Sequence, residues 1–332
     1  MALGTIRGHL EVASVTRALV IGRRRKGRPI KQVVQETRQR LEDAGWSVDS
    51  TVVKGKGALR KHAAAAAADG VDVVVAVGGD GVVLQVVQGV GGTATTLGIV
   101  PMGTGNLLAT NLGIDRKPDR AITILLDGQR RQIDLGHAVI GKDEWLFSVA
   151  CGIGFDAEVM DATSKAGKRR WGRLAYVASA ITKSGDVRDV QHEITVDGKL
   201  TTMGAMQVFI ANFGRTGLTI KPRLPVVPDD GALDVIVLRA PGRLRAVATA
   251  WQAIRQPHEG RSSDGRVLRS RGKEVTIETH TKRLVEIDGS VVGTTPVRIS
   301  VRPAALTVLA PPPAPSPPTP EPPTPTPEPP TP

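Results

Sequence analysis

The residues with the clearest chemical meaning are the four at positions 78–81, Gly-Gly-Asp-Gly, which come directly after the apolar run at 72–77. Such a run is typical of a strand buried on both faces of a parallel sheet. Glycines let main-chain N–H groups come close to a ligand, and the N-terminus of a following helix favours negative charge. Asp80 can orient those backbone groups or hold a nucleotide-bound Mg²⁺ through water. The pattern therefore predicts a phosphate-binding loop, with a tight turn that binds nothing as the alternative.

A second polar loop, Pro-Met-Gly-Thr-Gly-Asn at 101–106, follows the next strand-like run at 96–100. Thr104 and Asn106 offer side-chain hydrogen bonds, and the carboxyl ends of neighbouring parallel strands lie at one edge of a sheet. We therefore expect the two loops to converge on one ligand. The common nucleotide motifs do not supply this prediction, because the sequence has no GxxxxGK[ST] pattern and no GxGxxG pattern after a strand.

The N-terminal part of the chain alternates strand-like and helix-like segments, which predicts a doubly wound α/β domain. Predicted strands lie at 18–21, 46–53, 72–77 and 96–100, and predicted helices begin at Pro29 and cover 58–68, 81–89 and 106–112.

From about Gln129 onwards most segments are strand-like, and we expect a C-terminal β-sandwich-like domain. Its predicted strands lie at 132–140, 145–150, 192–196, 205–212, 233–238, 274–279, 284–287 and 297–301, with helices at 173–181 and 243–254. The Asp197-Gly198 pair predicts a two-residue hairpin, and residues 305–309 are expected to return to the first domain.

Composition and charge limit the classes of protein that fit. One cysteine, Cys151, gives no internal disulfide framework and suits a reducing compartment. No run approaches the roughly 20 apolar residues of a membrane span, and residues 1–20 lack a signal-peptide core, so we expect a cytoplasmic protein. Lys and Arg number 44 against 32 Asp and Glu, a net charge of +12, which suits an anionic partner. The densest basic run, 23–28, has no accompanying aromatic residues, so a base-stacking nucleic-acid platform is not expected.

The two glycine loops, in this order and at this spacing, resemble the bacterial diacylglycerol kinase and sphingosine kinase family. Further matches follow in order at 132–136 (QIDLG), 152–157 (GIGFDA), 229–234 (DDGALD) and 287–289 (IDG). The resemblance covers roughly residues 17–309, and the shared order is more specific than any one motif. It implies an ATP-binding catalytic domain at 15–130 plus 303–309 and a β-rich lipid-substrate domain at 131–302. Residues 310–332, which hold 14 of the 24 prolines, are expected to be a disordered Pro/Thr-rich tail.

The resemblance also implies roles for individual residues. ATP would be contacted by Gly78, Gly79, Asp80, Gly81, Val82, Val83, Leu84, Gly103, Thr104 and Asn106. Asp288 matches the proton acceptor for the lipid hydroxyl, a role that a carboxylate near the γ-phosphate can fill. Asp230, with the carbonyls of Val227 and Ala232, matches a structural Mg²⁺ site built from the oxygen ligands that this ion prefers. An ordinary Asp-Gly hairpin and an acidic surface turn are the alternatives for these last two motifs.

The implied function is that of an ATP- and Mg²⁺-dependent lipid kinase acting on a hydroxyl such as that of diacylglycerol. We expect it to be cytoplasmic, bound peripherally to the anionic inner face of a membrane, and without a nucleic-acid partner; a homodimer is left open. The family's Asn-Pro-x-Ser-Gly loop is replaced by a basic run after Gly22, and Val82, Leu84, Gln85 and Ser290 stand where polar or acidic residues are usual. These departures leave open a degenerate nucleotide- or lipid-binding protein. NAD kinase, the other enzyme with this loop, normally carries an Asn-Glu pair that is absent here.

Overall fold

The structure, a computed structural model of the 332-residue chain, describes residues 15–55, 57–154, 190–214, 226–239 and 267–312. The two helices predicted at 173–181 and 243–254 lie outside these ranges. So do positions 155–157 of the glycine-rich turn and residues 313–332 of the predicted tail.

The first part of the chain alternates strands and helices as predicted. Its elements are β1 (Arg17–Arg23), α1 (Ile30–Asp43), β2 (Ser47–Val53), α2 (Ala58–Ala68), β3 (Val73–Gly78), α3 (Asp80–Val90), β4 (Thr96–Pro101), α4 (Leu107–Asn111) and α5 (Pro118–Asp127). The sequence interpretation did not include α5, which begins at a proline in the first helical turn. Every residue of β3 and of β4 is buried, as the continuous apolar runs predict for strands covered on both faces. Among the helices of the described ranges, none combines the length and apolar character that a bilayer span needs.

The first four strands are parallel and lie in the order β2-β1-β3-β4. From β1 the chain goes to β2 on one side, and from β2 it returns across β1 to β3 on the other. The carboxyl ends of β1 and β3 therefore flank a topological switch point, which is where open α/β sheets leave a crevice for ligands. Both the loop after β1 and the loop at 78–81 begin at this crevice.

The second part is built almost entirely of strands in the described ranges. They are β5 (Gln129–Ile140), β6 (Asp143–Phe147), β7 (Ala150–Gly154), β8 (Val190–Val196), β9 (Lys199–Ala205), β10 (Gln207–Ala211), β11 (Leu233–Leu238), β12 (Val267–Gly272), β13 (Glu274–Thr279), β14 (Leu284–Ile287), β15 (Ser290–Thr294) and β16 (Val297–Ala310). One sheet has the order β12-β11-β10-β7-β14-β15, and the other contains β16, β13, β8 and β9, with β5 and β6 branching from β16. Apolar side chains from both sheets, including Phe147, Ile210 and Ile277, form one core. The predicted β-sandwich-like fold is confirmed.

The last strand, β16, joins the two parts. Its first half pairs with β13 and its second half pairs with β4 in parallel, with Val308 opposite Leu97, while β5 pairs along both halves. The register with β5 shifts between Arg302 and Leu306, and Ala304 within this irregularity has a left-handed φ of 49°. The predicted return of 305–309 to the first part is confirmed, and one sheet runs from β2 to β9. The domain boundaries at 130/131 and 302/303 stay a prediction.

In the second part, one hairpin forms as its local sequence predicts, whereas one predicted strand is interrupted by a residue that is distant in sequence. The hairpin predicted at Asp197-Gly198 joins β8 to β9 with φ values of 46° and 81°, the left-handed pair that a type I′ turn needs. The single strand predicted at 145–150, by contrast, is divided between β6 and β7. At the break, the N–H groups of Ser148 and Val149 donate to the carboxylate of Asp288. A partner far away in sequence therefore interrupts a strand that the local pattern predicts as continuous.

Candidate active site

One cleft brings together the two glycine loops and the turn between β14 and β15. Gly78 and Asp80 line it from the first loop, and Asn106 lines it from the second. Asp288 lines it from the far side, together with Ser148 at the break between β6 and β7. The convergence expected from the strand order is therefore present, and the hairpin aspartate faces the same space as the loops. Thr104 is exposed at the second loop.

The two loops touch through their glycines. A Cβ atom added at Gly79 would lie 2.9 Å from the Cα of Gly103, and one added at Gly103 would lie 2.6 Å from the Cα of Gly79. Contacts this short would require the backbone of the opposite loop to move. These two glycines are therefore needed for the loops to pack against each other, whether or not a ligand is bound.

Gly81 differs from its neighbours because a Cβ added there would meet no atom within 4 Å. It lies in the first turn of α3, where glycine is less favourable than alanine by up to about 1 kcal/mol. Neither packing nor backbone conformation in the described part of the chain calls for a glycine at this position. Open space beside the first turn of a helix is the geometry that a closely bound anion needs.

The carboxylate of Asp80 caps α4. Its Oδ2 accepts the N–H of Asn106 at 3.1 Å, and its Oδ1 accepts the N–H of Leu107 at 2.5 Å. Of the two sequence hypotheses for this side chain, the one in which it orients backbone groups matches these contacts. The side chain of Asn106 then braces its own loop, since its Oδ1 accepts the N–H of Gly103 at 2.9 Å and its Nδ2 donates to the carbonyl of Gly103 at 3.1 Å.

The three apolar residues after the loop contribute side chains rather than main-chain donors. The N–H groups of Val82 and Val83 both donate to the carbonyl of Gly79, at 2.8 and 3.1 Å. Val82 packs over Gly78, where an added Cβ would lie 2.5 Å from its methyl group. Val83 and Leu84 line the cleft. The main-chain donors available to a phosphate therefore belong to residues before Val82, although the predicted contacts of all three residues stay untested.

Asp288 is a buried carboxylate with all of its acceptor positions in use. Its Oδ2 accepts the N–H and the hydroxyl of Ser148, at 2.9 and 2.8 Å, and its Oδ1 accepts the N–H groups of Val149 and Ala150, at 2.9 and 3.0 Å. The residue has a left-handed φ of 42°, and its own N–H donates to the carbonyl of Ala150 at 3.0 Å. Burial raises the pKa of Asp288 above the ordinary aspartate value, and the four hydrogen bonds oppose that rise.

The acidic loop before β11 lies outside this cleft. Asp230 forms an ion pair with Arg271, and its Oδ1 accepts the N–H of Ala232 at 3.2 Å. The neighbouring Asp229 pairs with Arg131 at 3.0 Å. Both carboxylates of the loop are thus already matched by arginines. No group of three or more acidic, histidine or cysteine side chains suited to a metal occurs in the described ranges. Asp230 is paired with Arg271 here, and the Mg²⁺ site at Asp230 and the carbonyls of Val227 and Ala232 stays a prediction.

Asp134, which the sequence interpretation passed over, holds the acidic loop in place. Its Oδ2 accepts the N–H of Gly231 at 2.7 Å, and its Oδ1 accepts the N–H of Ala304 at 2.8 Å. It lies within the QIDLG motif at 132–136, so the motif match pointed to the segment without revealing the role. Ser148 was also missed, and nothing in its local sequence marks it as a partner of Asp288.

Comparison with known proteins agrees with this architecture. Residues 17–138 match the family described as the diacylglycerol kinase catalytic domain, and residues 149–310 match the YegS C-terminal NAD kinase beta sandwich-like domain. A two-part fold with a glycine-loop cleft thus defines the class of lipid-kinase-like proteins. The chain belongs to the bacterial diacylglycerol kinase and YegS-like lipid kinase family.

Individual relatives cover most of the chain. It is 32% identical over 321 residues to a protein named diacylglycerol kinase from Mycobacterium tuberculosis (strain ATCC 25618 / H37Rv), covering 94% of this chain and 99% of that protein. It is 27% identical to a protein named diacylglycerol kinase from Bacillus subtilis (strain 168), covering 84% and 91%. A crystal structure of a diacylglycerol kinase from Bacillus anthracis str. Sterne shares the fold with a TM-score of 0.69 at 22% identity, covering 90% and 97%.

Proposed function

We propose that this protein is an ATP-dependent lipid kinase that transfers the γ-phosphoryl group to a lipid hydroxyl such as that of diacylglycerol. The observation that carries the proposal is the cleft itself, which is lined by Gly78 and Asp80 of the glycine loop and by the buried Asp288. Phosphoryl transfer needs a site that holds the phosphates and a group that positions and deprotonates the attacking hydroxyl. The glycine loop and Asp288, which line the same cleft, support these two roles.

The phosphates would lie over the first turn of α3. The open space beside Gly81 leaves room for them, and the first N–H groups of a helix have no partner within the helix. Asp80 supports the arrangement indirectly, because its contacts with Asn106 and Leu107 keep the second loop against the first. Mg²⁺ would arrive with the nucleotide as the MgATP complex and supply neutralisation of phosphate charge.

Asp288 would take the proton of the lipid hydroxyl. As the lipid oxygen bonds to the γ-phosphorus and the bond to the β–γ bridging oxygen breaks, the hydroxyl proton passes to the carboxylate and ADP leaves. A pKa raised by burial makes Asp288 a stronger base than an exposed aspartate. Three of its four hydrogen-bond donors are main-chain N–H groups, whereas the hydroxyl of Ser148 can rotate. The position on Oδ2 held by that hydroxyl is therefore the one a substrate hydroxyl would occupy.

The lipid substrate requires access to a membrane surface. With a net charge of +12, the protein would associate peripherally with the anionic inner face of a membrane from the cytoplasm. Each Lys or Arg near such a surface contributes on the order of 1 kcal/mol, and salt screens the attraction.

The direct test is transfer of labelled γ-phosphate from ATP to a panel of lipids in mixed micelles, with diacylglycerol first and NAD as a non-lipid acceptor. Label on a lipid in the wild type, and its loss in Asp288→Asn, would support the proposal. Label on NAD alone would assign the cleft to a different acceptor. ATP binding without transfer to any acceptor would favour the second candidate.

That second candidate is a nucleotide- or lipid-binding protein without turnover. It is favoured by two observations: Val82 fills the space over Gly78 with an apolar side chain, and every acceptor position of Asp288 is already occupied. A kinase needs one of those positions to become free during the reaction. A binding protein does not.

A further inference from the structure

The two loops of the cleft carry no positive charge of their own. Between Lys61 and Arg116 the sequence contains no lysine and no arginine, a stretch that includes both 78–81 and 101–106. A nucleoside triphosphate carries several negative charges, and the sites that bind phosphates commonly add lysine or arginine to the main-chain donors. The cations must therefore come from another part of the fold.

The basic loop, residues 23–28 (Arg-Arg-Arg-Lys-Gly-Arg), lies where they are needed. β1 pairs in parallel with β3, with Gly22 opposite Val77. Arg23 and Gly78 are the next residues and the last ones of these two neighbouring strands. The basic loop thus begins beside the first glycine of the cleft, at the topological switch point between β1 and β3.

The conformation of the basic loop leaves its side chains available. The N–H of Arg24 donates to the carbonyl of Val53 at 3.1 Å, and the N–H of Arg28 donates to the carbonyl of Arg25 at 3.2 Å. Gly27 closes this turn with a left-handed φ of 74°. The main chain is therefore fixed at both ends of the loop, while Arg24, Arg25, Lys26 and Arg28 are exposed.

None of the five basic side chains forms an ion pair within the described ranges. Arg17, by comparison, donates from its guanidinium to the carbonyl of Asp69. Five like charges within six residues repel one another, and no carboxylate lies among them. A polyanion bound at the basic loop would relieve this repulsion.

We propose that the basic loop holds the phosphates of the nucleotide bound at 78–81, with Arg24 and Arg25 as its principal contacts. This inference rests on the proposed nucleotide site and adds the residues that recognise its charge. The guanidinium groups match phosphate oxygens in a bidentate geometry. A membrane surface is the competing use of these cations, but the position beside Gly78 favours the nucleotide.

The test compares Arg24→Gln/Arg25→Gln with the wild-type full-length protein. MgATP, adenosine and inorganic tripolyphosphate are titrated by calorimetry at two salt concentrations, and binding to phosphatidylglycerol vesicles is measured by sedimentation. The variant should bind MgATP and tripolyphosphate roughly 10- to 100-fold more weakly, since hydrogen bonds to charged groups are strong contacts, and its affinity should depend less on salt. Any affinity for adenosine should not change.

The matched control removes two charges at the other end of the sheet. Lys199 begins the edge strand β9, and the main-chain N–H of Lys273 donates to Asp197 in the hairpin that joins β8 to β9. Both lysines are exposed. Lys199→Gln/Lys273→Gln should leave MgATP affinity unchanged. Unchanged affinity in the arginine variant, with loss of vesicle binding, would assign the loop to the membrane and overturn the proposal. A wild type that binds no MgATP would overturn the nucleotide site and this inference with it, whereas MgATP binding without phosphate transfer would overturn only the kinase reaction.

Discussion

Asp80 and Leu107 are 27 positions apart, and the carboxylate of the first accepts the main-chain N–H of the second at 2.5 Å. The contact ties the loop after β3 to the helix after β4. A negative charge in a loop proposed to bind phosphates is tolerated because it is directed to this helix and to the N–H of Asn106.

We expect Asp80→Ala to lower both stability and nucleotide affinity. The substitution leaves two main-chain N–H groups without their acceptor and releases the second loop. The loss in free energy of unfolding should be about 1–3 kcal/mol, measured by urea denaturation, with weaker MgATP binding in the folded variant. Asp127→Ala, at the exposed end of α5, is the control and should change neither. Full ATP affinity in Asp80→Ala would show that the two loops act independently.

Gly79 and Gly81 should respond in opposite ways to alanine. Gly79→Ala places a Cβ 2.9 Å from the Cα of Gly103, so it should lower the free energy of unfolding. Gly81→Ala meets no neighbour and removes a helical glycine, so it should raise stability by up to about 1 kcal/mol. Its MgATP affinity should nevertheless fall, because the new methyl group occupies the space beside the phosphates. A stabilised Gly81→Ala protein with unchanged affinity would contradict the placement of the nucleotide.

Asp288→Asn should reduce turnover by about 10² to 10⁴ while MgATP still binds. A general base must be ionised, and burial raises the pKa of Asp288. The value of kcat/KM should therefore fall as the pH is lowered, and the fall should begin at a pH above the ordinary range of aspartate pKa values. The same raised pKa means that the folded protein binds this proton more tightly than the unfolded chain. The stabilisation that this tighter proton binding gives to the folded state is therefore lost as the pH rises from the ordinary aspartate pKa through the raised pKa of Asp288. Full activity in Asp288→Asn would make the hairpin purely structural.

Ser148→Ala should shift the acidic limb of the kcat/KM profile upward. The hydroxyl of Ser148 donates to Oδ2 of Asp288 at 2.8 Å, and that hydrogen bond lowers the pKa of the carboxylate. Its removal should raise the pKa further while the three main-chain donors keep the carboxylate in place. Ser270→Ala, on the exposed face of β12, is the control. A variant that loses activity equally at every pH would indicate that Ser148 serves only to hold the fold.

Removal of divalent metal should not destabilise the nucleotide-free protein. The acidic loop is held by Asp134 and neutralised by Arg131 and Arg271, so thermal unfolding should be the same in EDTA and in Mg²⁺. Arg271→Met should create a Mg²⁺-dependent increase in stability by leaving Asp230 without its cation, through preferential binding to the folded state. A Mg²⁺ effect in the wild type that Asp230→Asn abolishes would instead support a metal held by Asp230, Val227 and Ala232.

Features that depend on neighbouring residues were determined by the sequence. The apolar runs of β3 and β4, the alanine-rich α2 and the Asp197-Gly198 turn were all predicted close to their observed positions. Each reflects a preference for burial, helix or left-handed backbone that is expressed within a few residues. The order of a strand followed by a glycine loop occurs twice, and this was enough to place both loops at one edge of a parallel sheet.

Tertiary structure alone decided which residues from distant segments become partners. Asp288 meets Ser148 across 140 positions, and Asp134 meets Gly231 across 97. Two glycines of one motif also differ in role, since Gly79 packs against Gly103 while Gly81 faces open space. Such pairings depend on how strands from distant segments lie side by side, and no preference of a single residue encodes them. The break between β6 and β7 has the same origin, because the N–H groups there are directed to a carboxylate that the local sequence does not contain.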